Sequence, residues 1–385
     1  MKKKKILSDK FLMFVLILSG CFQNIEVLNI SDGFGLKLYH VISILLSYRL
    51  ITKNKGKIKL PPMIINIFFV CIMIISVISY TRYGFNSLCI NYIFVYYLII
   101  LMINIGKNIK SDEWINMLKK IALIMIACTY FNILMNFSQV TFFLSGNSER
   151  INLKTFFGGG INLEATWIAL LGVFFIKDEK AYIYLFFSMI ISMLYSSRSG
   201  LIVNILFFII ILVHESNNDY IRFKKALLLF CVGVLINFVN LKTGMFSYVL
   251  TRFTKLGNEN GSLGRLNMWE YVLPSFINNP FGYGLGNAVK SLTRISGVIF
   301  SESNVHNMFF QMFLDTGIIG GIMYLFLNIR FIFKERRNII KNPIISFIVL
   351  YILLSIIEFR GADFLIYVLI SIYILTKNEG RLSDE

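Results

Sequence analysis

Twelve apolar runs recur along this chain, at approximately 11–30, 33–51, 61–80, 86–105, 115–135, 161–176, 181–196, 199–213, 226–241, 306–333, 343–358 and 362–376. Few arrangements of a polypeptide tolerate that pattern. About 20 mostly apolar residues in a helix cross the hydrocarbon of a bilayer. Inside lipid every backbone N–H and C=O must be satisfied by the protein, which leaves helices and closed barrels. The runs are too long and too uniformly apolar for barrel strands, so they predict an all-α, polytopic membrane protein of about 12 transmembrane helices. Composition agrees: 56% of residues are hydrophobic and 15% charged, against about 25% charged in soluble domains. Residues 1–385 then form a single integral membrane domain.

Charge sets the expected orientation. With the N-terminus in the cytoplasm, 26 of the 38 Lys and Arg residues fall on the inner side and 12 on the outer, the bias expected of a multi-pass protein. Both termini are then cytoplasmic, and the localisation is the cytoplasmic membrane. The net charge of +17 is thus a topology signal with an attraction to anionic lipid. It is not the clustered basic face of a nucleic-acid binder, so no nucleic-acid partner is expected. Lys2 to Lys5 and "LSGC" (Leu18 to Cys21) resemble a cleaved leader, but the apolar pattern continues through Phe22, Ile25, Val27 and Leu28. We expect a first span there. The five cysteines all lie in apolar runs, without metal or disulfide spacing.

Two outer loops are long, 136–160 and 242–305. The second is the large extracytoplasmic loop between spans nine and ten, and long ordered loops tend to carry function. Within it, "RLNMWEYVLPSF" places Leu266, Trp269, Val272, Leu273 and Phe276 at helical spacing, which predicts a short amphipathic helix with Arg265 in its first turn. Pro280 and Gly282, Gly284 and Gly286 then force a turn. That turn either offers backbone N–H groups to an anion or simply reverses the chain. Arg198, in "LYSSRSGLIV", is an outer arginine at the membrane interface. An ionisable group there is a functional candidate, and equally a snorkelling side chain at a helix end. Arg150, Lys154, Arg252 and Arg294 are further outer cations. Asn304 is placed to cap span ten, with His306 in its first turn. The positive end of a helix disfavours imidazolium, and a neutral imidazole is what a general base needs. Pairing with Glu302 or a headgroup is the other reading of His306. Glu164, at the start of span six, suits a dipole-capping role. The other outer acids, Glu149, Glu259, Glu270 and Glu302, form no pair that demands acid–base work. No zinc-protease, nucleotide-binding or Cys/His metal pattern is present.

"SSRSG", then "GRLNMWEYVLPSFINNPFGYGLGN", then "HNMFFQMFLDTGIIGGIMYLF", together with about twelve spans and a large outer loop before span ten, resemble the O-antigen ligase/polymerase superfamily. This group comprises Wzy-type polysaccharide polymerases and WaaL-type ligases. The resemblance covers roughly residues 196–325; earlier in the chain only "FFGGGINLEA" is similar. It implies transfer of a glycan from undecaprenyl pyrophosphate to an acceptor at the outer membrane surface, without metal or cofactor. It further implies that Arg198 and Arg265 bind the pyrophosphate and that His306 is the catalytic base. The implied partners are undecaprenyl-pyrophosphate-linked oligosaccharides, membrane lipids, and a flippase and chain-length regulator. We expect a repeat-unit polymerase of O-antigen, capsule or exopolysaccharide. A ligase with a lipid or protein acceptor is the alternative, and a lipid-linked glycan flippase a more distant one. Transporters typically carry polar or broken helices near the bilayer midplane, whereas here the polar candidates gather on one face.

Overall fold

A computed structural model describes residues 8–215 and 260–382, apart from positions 24, 32–33, 55–56, 146–150, 152, 158, 301, 303 and 359–360, together with residues 223, 227, 233, 234 and 238. Most of the expected span 226–241 lies outside the described residues, as do 242–259 with Arg252 and Glu259, Lys2 to Lys5, Glu149 and Arg150.

The chain is helical almost throughout. In order, the elements are α1 (Asp9–Cys21), β1 (Glu26–Ser31), β2 (Phe34–Lys37), α2 (Leu38–Asn54), α3 (Met63–Tyr83), α4 (Leu88–Ile105), α5 (Ser111–Met135), α6 (Phe137–Leu144), α7 (Ile161–Leu171), α8 (Ala181–Leu194) and α9 (Arg198–Glu215). They continue with α10 (Asn260–Glu270), α11 (Val272–Asn278), α12 (Ala288–Ser296), α13 (Met308–Glu335), α14 (Pro343–Leu354) and α15 (Phe364–Leu382). Among the described residues, four helices, Met63–Tyr83, Leu88–Asn108, Ser111–Met135 and Met308–Glu335, are long and apolar enough to cross a membrane. Six shorter apolar helices fall on other expected runs. The molecule is a helical membrane protein.

The first run is shorter than its hydropathy suggests. α1 ends at Cys21, and residues 26–37 pair as an antiparallel hairpin. Of the apolar residues beyond Cys21, Val27 and Leu28 lie in β1, and Phe22 and Ile25 lie between α1 and β1.

The described residues form two compact units. One comprises Met1–Trp114, Leu263–Arg336 and Tyr351–Glu385; the other comprises Ile115–Ser262 and Arg337–Leu350. In the first, α15 packs on α4 and α1, and α3 packs on α13. The loop helices have their own small core: Met268, Val272, Ala288, Leu292, Val305 and Leu314 are buried together, with Trp269, Tyr271, Phe276 and Phe310 against them. The expected amphipathic helix is present but interrupted at Tyr271, between α10 and α11. Pro274 has no N–H to donate to the carbonyl of Glu270, so the turn cannot continue unbroken. The buried face runs through Met268 and Val272, and Leu266 and Leu273 point outward.

α13 is not a straight rod. At Gly317 the backbone leaves the helical region (φ 65, ψ −165). The peptide groups freed by this break are taken up by the Gly-rich turn. Tyr283 N donates to Leu314 O (2.9 Å), Gly284 N to Asp315 O (2.7 Å), and Ile318 N to Pro280 O (2.8 Å). The side chain of Asp315, fully buried, accepts from Gly286 N (3.0 Å) and Ala288 N (2.7 Å). The remaining N–H groups of the turn go to Asn279 O, Ser76 Oγ and Gly284 O. Every N–H from Gly282 to Ala288 thus has a protein acceptor. Of the two readings of this turn, the geometry is that of chain reversal, with its N–H groups taken by the protein's own acceptors, the Asp315 side chain among them. In the second unit, α7 packs against α8 and α9.

Candidate active site

Arg198 is the first residue of α9, and a short turn decides where it points. α8 closes with Ser196 N donating to Met193 O (2.9 Å) and Ser197 N to Ser192 O (2.8 Å). This is a Schellman ending whose left-handed position is normally glycine; here it is Ser196, at φ 50. Ser197 then caps α9, its Oγ accepting from Gly200 N (3.2 Å) and donating to Asn162 O (3.1 Å). Ser199 and Thr166 join the same two helices through their hydroxyls (2.7 Å). Gly200 is required by closeness, since a Cβ there would lie 2.7 Å from Ser192 Oγ and 3.2 Å from Ala165 Cβ. "SSRSG" is therefore a complete helix-to-helix turn, and it holds a half-buried arginine at a helix N-terminus.

Glu164 stands behind that turn. It is fully buried and accepts from Thr129 Oγ1 (3.1 Å), Tyr195 O–H (3.3 Å) and Phe157 N (2.9 Å). Three donors to one carboxylate meet the requirement for burying it. Its role is wider than dipole capping, because it ties α5, the chain before α7 and Tyr195 beside the Arg198 turn.

Arg265 and His306 belong to the first unit. Arg265 lies in the middle of α10 rather than at its start. Its Nη1 donates to Ile357 O (3.1 Å), and Nη2 is 4.0 Å from Glu358 Oε2. One turn further along the same face of α10, Trp269 Nε1 donates to Val305 O (2.8 Å). Val305 immediately precedes His306. Met308 N in turn donates to Ser355 O (2.7 Å). The helix carrying Arg265, the chain carrying His306 and the α14–α15 connection therefore close on one another. Arg198 lies in the other unit, on its own framework.

His306 precedes the helix rather than opening it. Asn307 is the N-cap of α13, accepting from Phe310 N (3.0 Å). Asn304 Oδ1 accepts instead from His306 N (2.9 Å), which makes a tight turn with His306 at φ 55. A left-handed conformation costs a non-glycine residue about 1–2 kcal/mol, and such strain gathers at functional positions. Ser196 and His306 are the two non-glycine residues at positive φ among those described. One aims Arg198; the other is the candidate base. The His306 ring is mostly covered, and Nε2 lies 3.0 Å from Glu302 Oε2. A carboxylate only accepts, so an ionised Glu302 pairs with a proton on Nε2.

Glu358 escaped the sequence reading because it sits at the end of an apolar run. An acid at that position, in "IIEFRG", is itself a signal. No curated protein matches the chain significantly. Residues 183–325 match the family model described as O-antigen ligase, a stretch that contains Arg198, Arg265, His306 and the Gly282–Gly317 turn and break. That stretch of the chain is similar to the O-antigen ligase/polymerase superfamily.

Proposed function

We propose that this protein is a repeat-unit polymerase of a surface polysaccharide, with about twelve spans in the cytoplasmic membrane and both termini in the cytoplasm. Its donor is a glycan on undecaprenyl pyrophosphate and its acceptor a sugar hydroxyl of a second lipid-linked glycan. The acceptor oxygen attacks the anomeric carbon of the donor while the bond from that carbon to the pyrophosphate oxygen breaks. The pyrophosphate leaves with the bonding electrons, and His306 takes the hydroxyl proton. Arg198 and Arg265 hold the pyrophosphate, since planar guanidinium forks suit phosphoryl oxygens and charge builds there as the bond breaks. The step needs no metal. A flippase supplies such a donor and a chain-length regulator limits the product.

The observation that carries this reading is the pair of strained residues at Ser196 and His306, inside the stretch that the family model matches. The test is incubation of purified protein with a lipid-pyrophosphate-linked repeat unit, in EDTA. A ladder of products is expected. The description of the matched family as O-antigen ligase favours a second reading, transfer to a separate acceptor. Product formed only when such an acceptor is added would replace polymerase with ligase. Activity restored solely by a divalent ion would overturn the metal-free step.

Arg265→Lys keeps the charge but not the fork. We expect kcat/KM for the donor to fall by about tenfold or more, the worth of one lost charge-assisted contact. Equal activity of the lysine variant would remove pyrophosphate binding from the role of Arg265.

A further inference from the structure

Outside the candidate active site, two arginines far apart in sequence share one aromatic ring. Arg82 is the penultimate residue of α3, and its guanidinium lies 5.5 Å from the centroid of Tyr83. Arg294, from α12, lies 5.6 Å from the same centroid. Tyr83 packs in turn on Tyr283, at 4.7 Å between ring centroids. Burial raises the pKa of Tyr283, and the positive charges of Arg294 and Arg82 act against that shift. Both cations therefore bear on one small region. Each ring contact is worth about 0.5–1 kcal/mol at an exposed site. Among the described residues, no carboxylate pairs with either arginine.

The support beneath them is stiff. Tyr80 O–H donates to Leu285 O (2.7 Å), Asn86 Nδ2 to Gly286 O (2.7 Å), and Asn287 Nδ2 to Gly84 O (3.0 Å). The end of α3 is thus fastened to the Gly-rich turn that leads into α12. The fold holds both guanidinium groups at the Tyr83 ring. Two exposed forks on a stiff support, with no carboxylate partner among the described residues, are suited to an external anion.

The surroundings say which. α3 is apolar enough to span a membrane, and only 28% of its apolar window is buried. The arginines stand at its end. Phe85, three residues after Arg82, is 61% exposed, and Val298 and Ile299, four and five residues after Arg294, are 51% and 88% exposed. Cations flanked by outward apolar side chains at the end of a spanning helix match the layering of headgroup over acyl chain.

We propose that Arg82, Tyr83 and Arg294 form a binding site for the phosphate of an anionic lipid headgroup, apart from the residues assigned to glycosyl transfer. The phosphate oxygens accept from both guanidinium groups, and the acyl chains lie along Phe85, Val298 and Ile299. The site fixes the end of α3, and through it the Gly-rich turn, against the membrane surface.

The test uses delipidated full-length protein in detergent, titrated with phosphatidylglycerol and, separately, phosphatidylcholine, with bound lipid counted by native mass spectrometry. Each of Arg82→Gln and Arg294→Gln should weaken the tightest phosphatidylglycerol site by about fivefold, and the double variant by roughly thirtyfold, taking each arginine at about 1 kcal/mol. Phosphatidylcholine binding should not change. Both side chains are exposed, so the variants should keep the wild-type elution volume; if the double variant misfolds, the single ones decide. Unchanged phosphatidylglycerol affinity, or equal loss of both lipids, would overturn the site. Competition by water-soluble glycerol phosphate at the same concentration as the lipid would also overturn it, since the ligand would then be a free or glycan-borne phosphate.

Discussion

Replacing His306 with alanine is expected to abolish polymer while leaving folded protein in the membrane. A positioned general base contributes about 10²- to 10⁴-fold, so a loss in that range is the predicted fall in kcat. The position is strained, however, at φ 55, and alanine would inherit that strain. His306→Asn separates the two effects. Asparagine tolerates the left-handed region better than most residues but cannot take the proton. It should be as inactive as alanine. Recovery of activity in the asparagine variant would make the role of His306 conformational. Glu302→Gln keeps a neighbour at the ring but removes the carboxylate that orients it. A decrease in kcat of roughly tenfold with an unchanged donor KM is expected, in line with loss of a hydrogen bond to a charged group.

Gly317→Ala should have the largest effect on folding. Its φ of 65 already disfavours any side chain, and an added Cβ would sit 2.4 Å from both Pro280 O and the carbonyl carbon of Phe281. Gly282 faces the same junction, where a Cβ would lie 2.4 Å from Gly317 N. Both obstacles are backbone atoms and cannot rotate away. The left-handed conformation costs about 1–2 kcal/mol and overpacking about 1–3 kcal/mol. A fall in melting temperature of roughly 5–10 °C, or loss of the monodisperse peak after extraction, is the expected result. Gly84→Ala is the control: φ is 81, but nothing lies within 4 Å, so only the conformational cost applies. Equal behaviour of the two variants would show that the turn and the break are not in close contact.

The Gly-rich turn shows where sequence and structure part. Three alternating glycines and a proline announce a reversal, and the spacing cannot say whether the exposed N–H groups face a ligand. The answer comes from Asp315, almost thirty residues on, whose carboxylate occupies Gly286 N and Ala288 N. In the same way "DTGIIGG" reads as part of an unbroken apolar span. The helix breaks because Leu314 O, Asp315 O and Ile318 N find partners outside it. A helix in lipid can open only where other protein groups replace its lost hydrogen bonds. The apolar run read as a span over 11–30 instead ends as a helix at Cys21 and continues into β1 (Glu26–Ser31).

Local chemistry in the sequence determined that the chain is helical and membrane-embedded, because twenty apolar residues leave the backbone no other way to satisfy itself in lipid. It also drew attention to Arg198 and His306, ionisable groups beside apolar runs, while Arg265 in the polar loop stood out through the motif resemblance. Tertiary structure alone decided that Arg265 rests on Ile357 O near Glu358, that Trp269 ties its helix to the chain before His306, and that Arg82 and Arg294 both contact the Tyr83 ring. Contacts between residues many turns apart are fixed by packing and by hydrogen bonds between segments, and no periodicity within one segment encodes its partner.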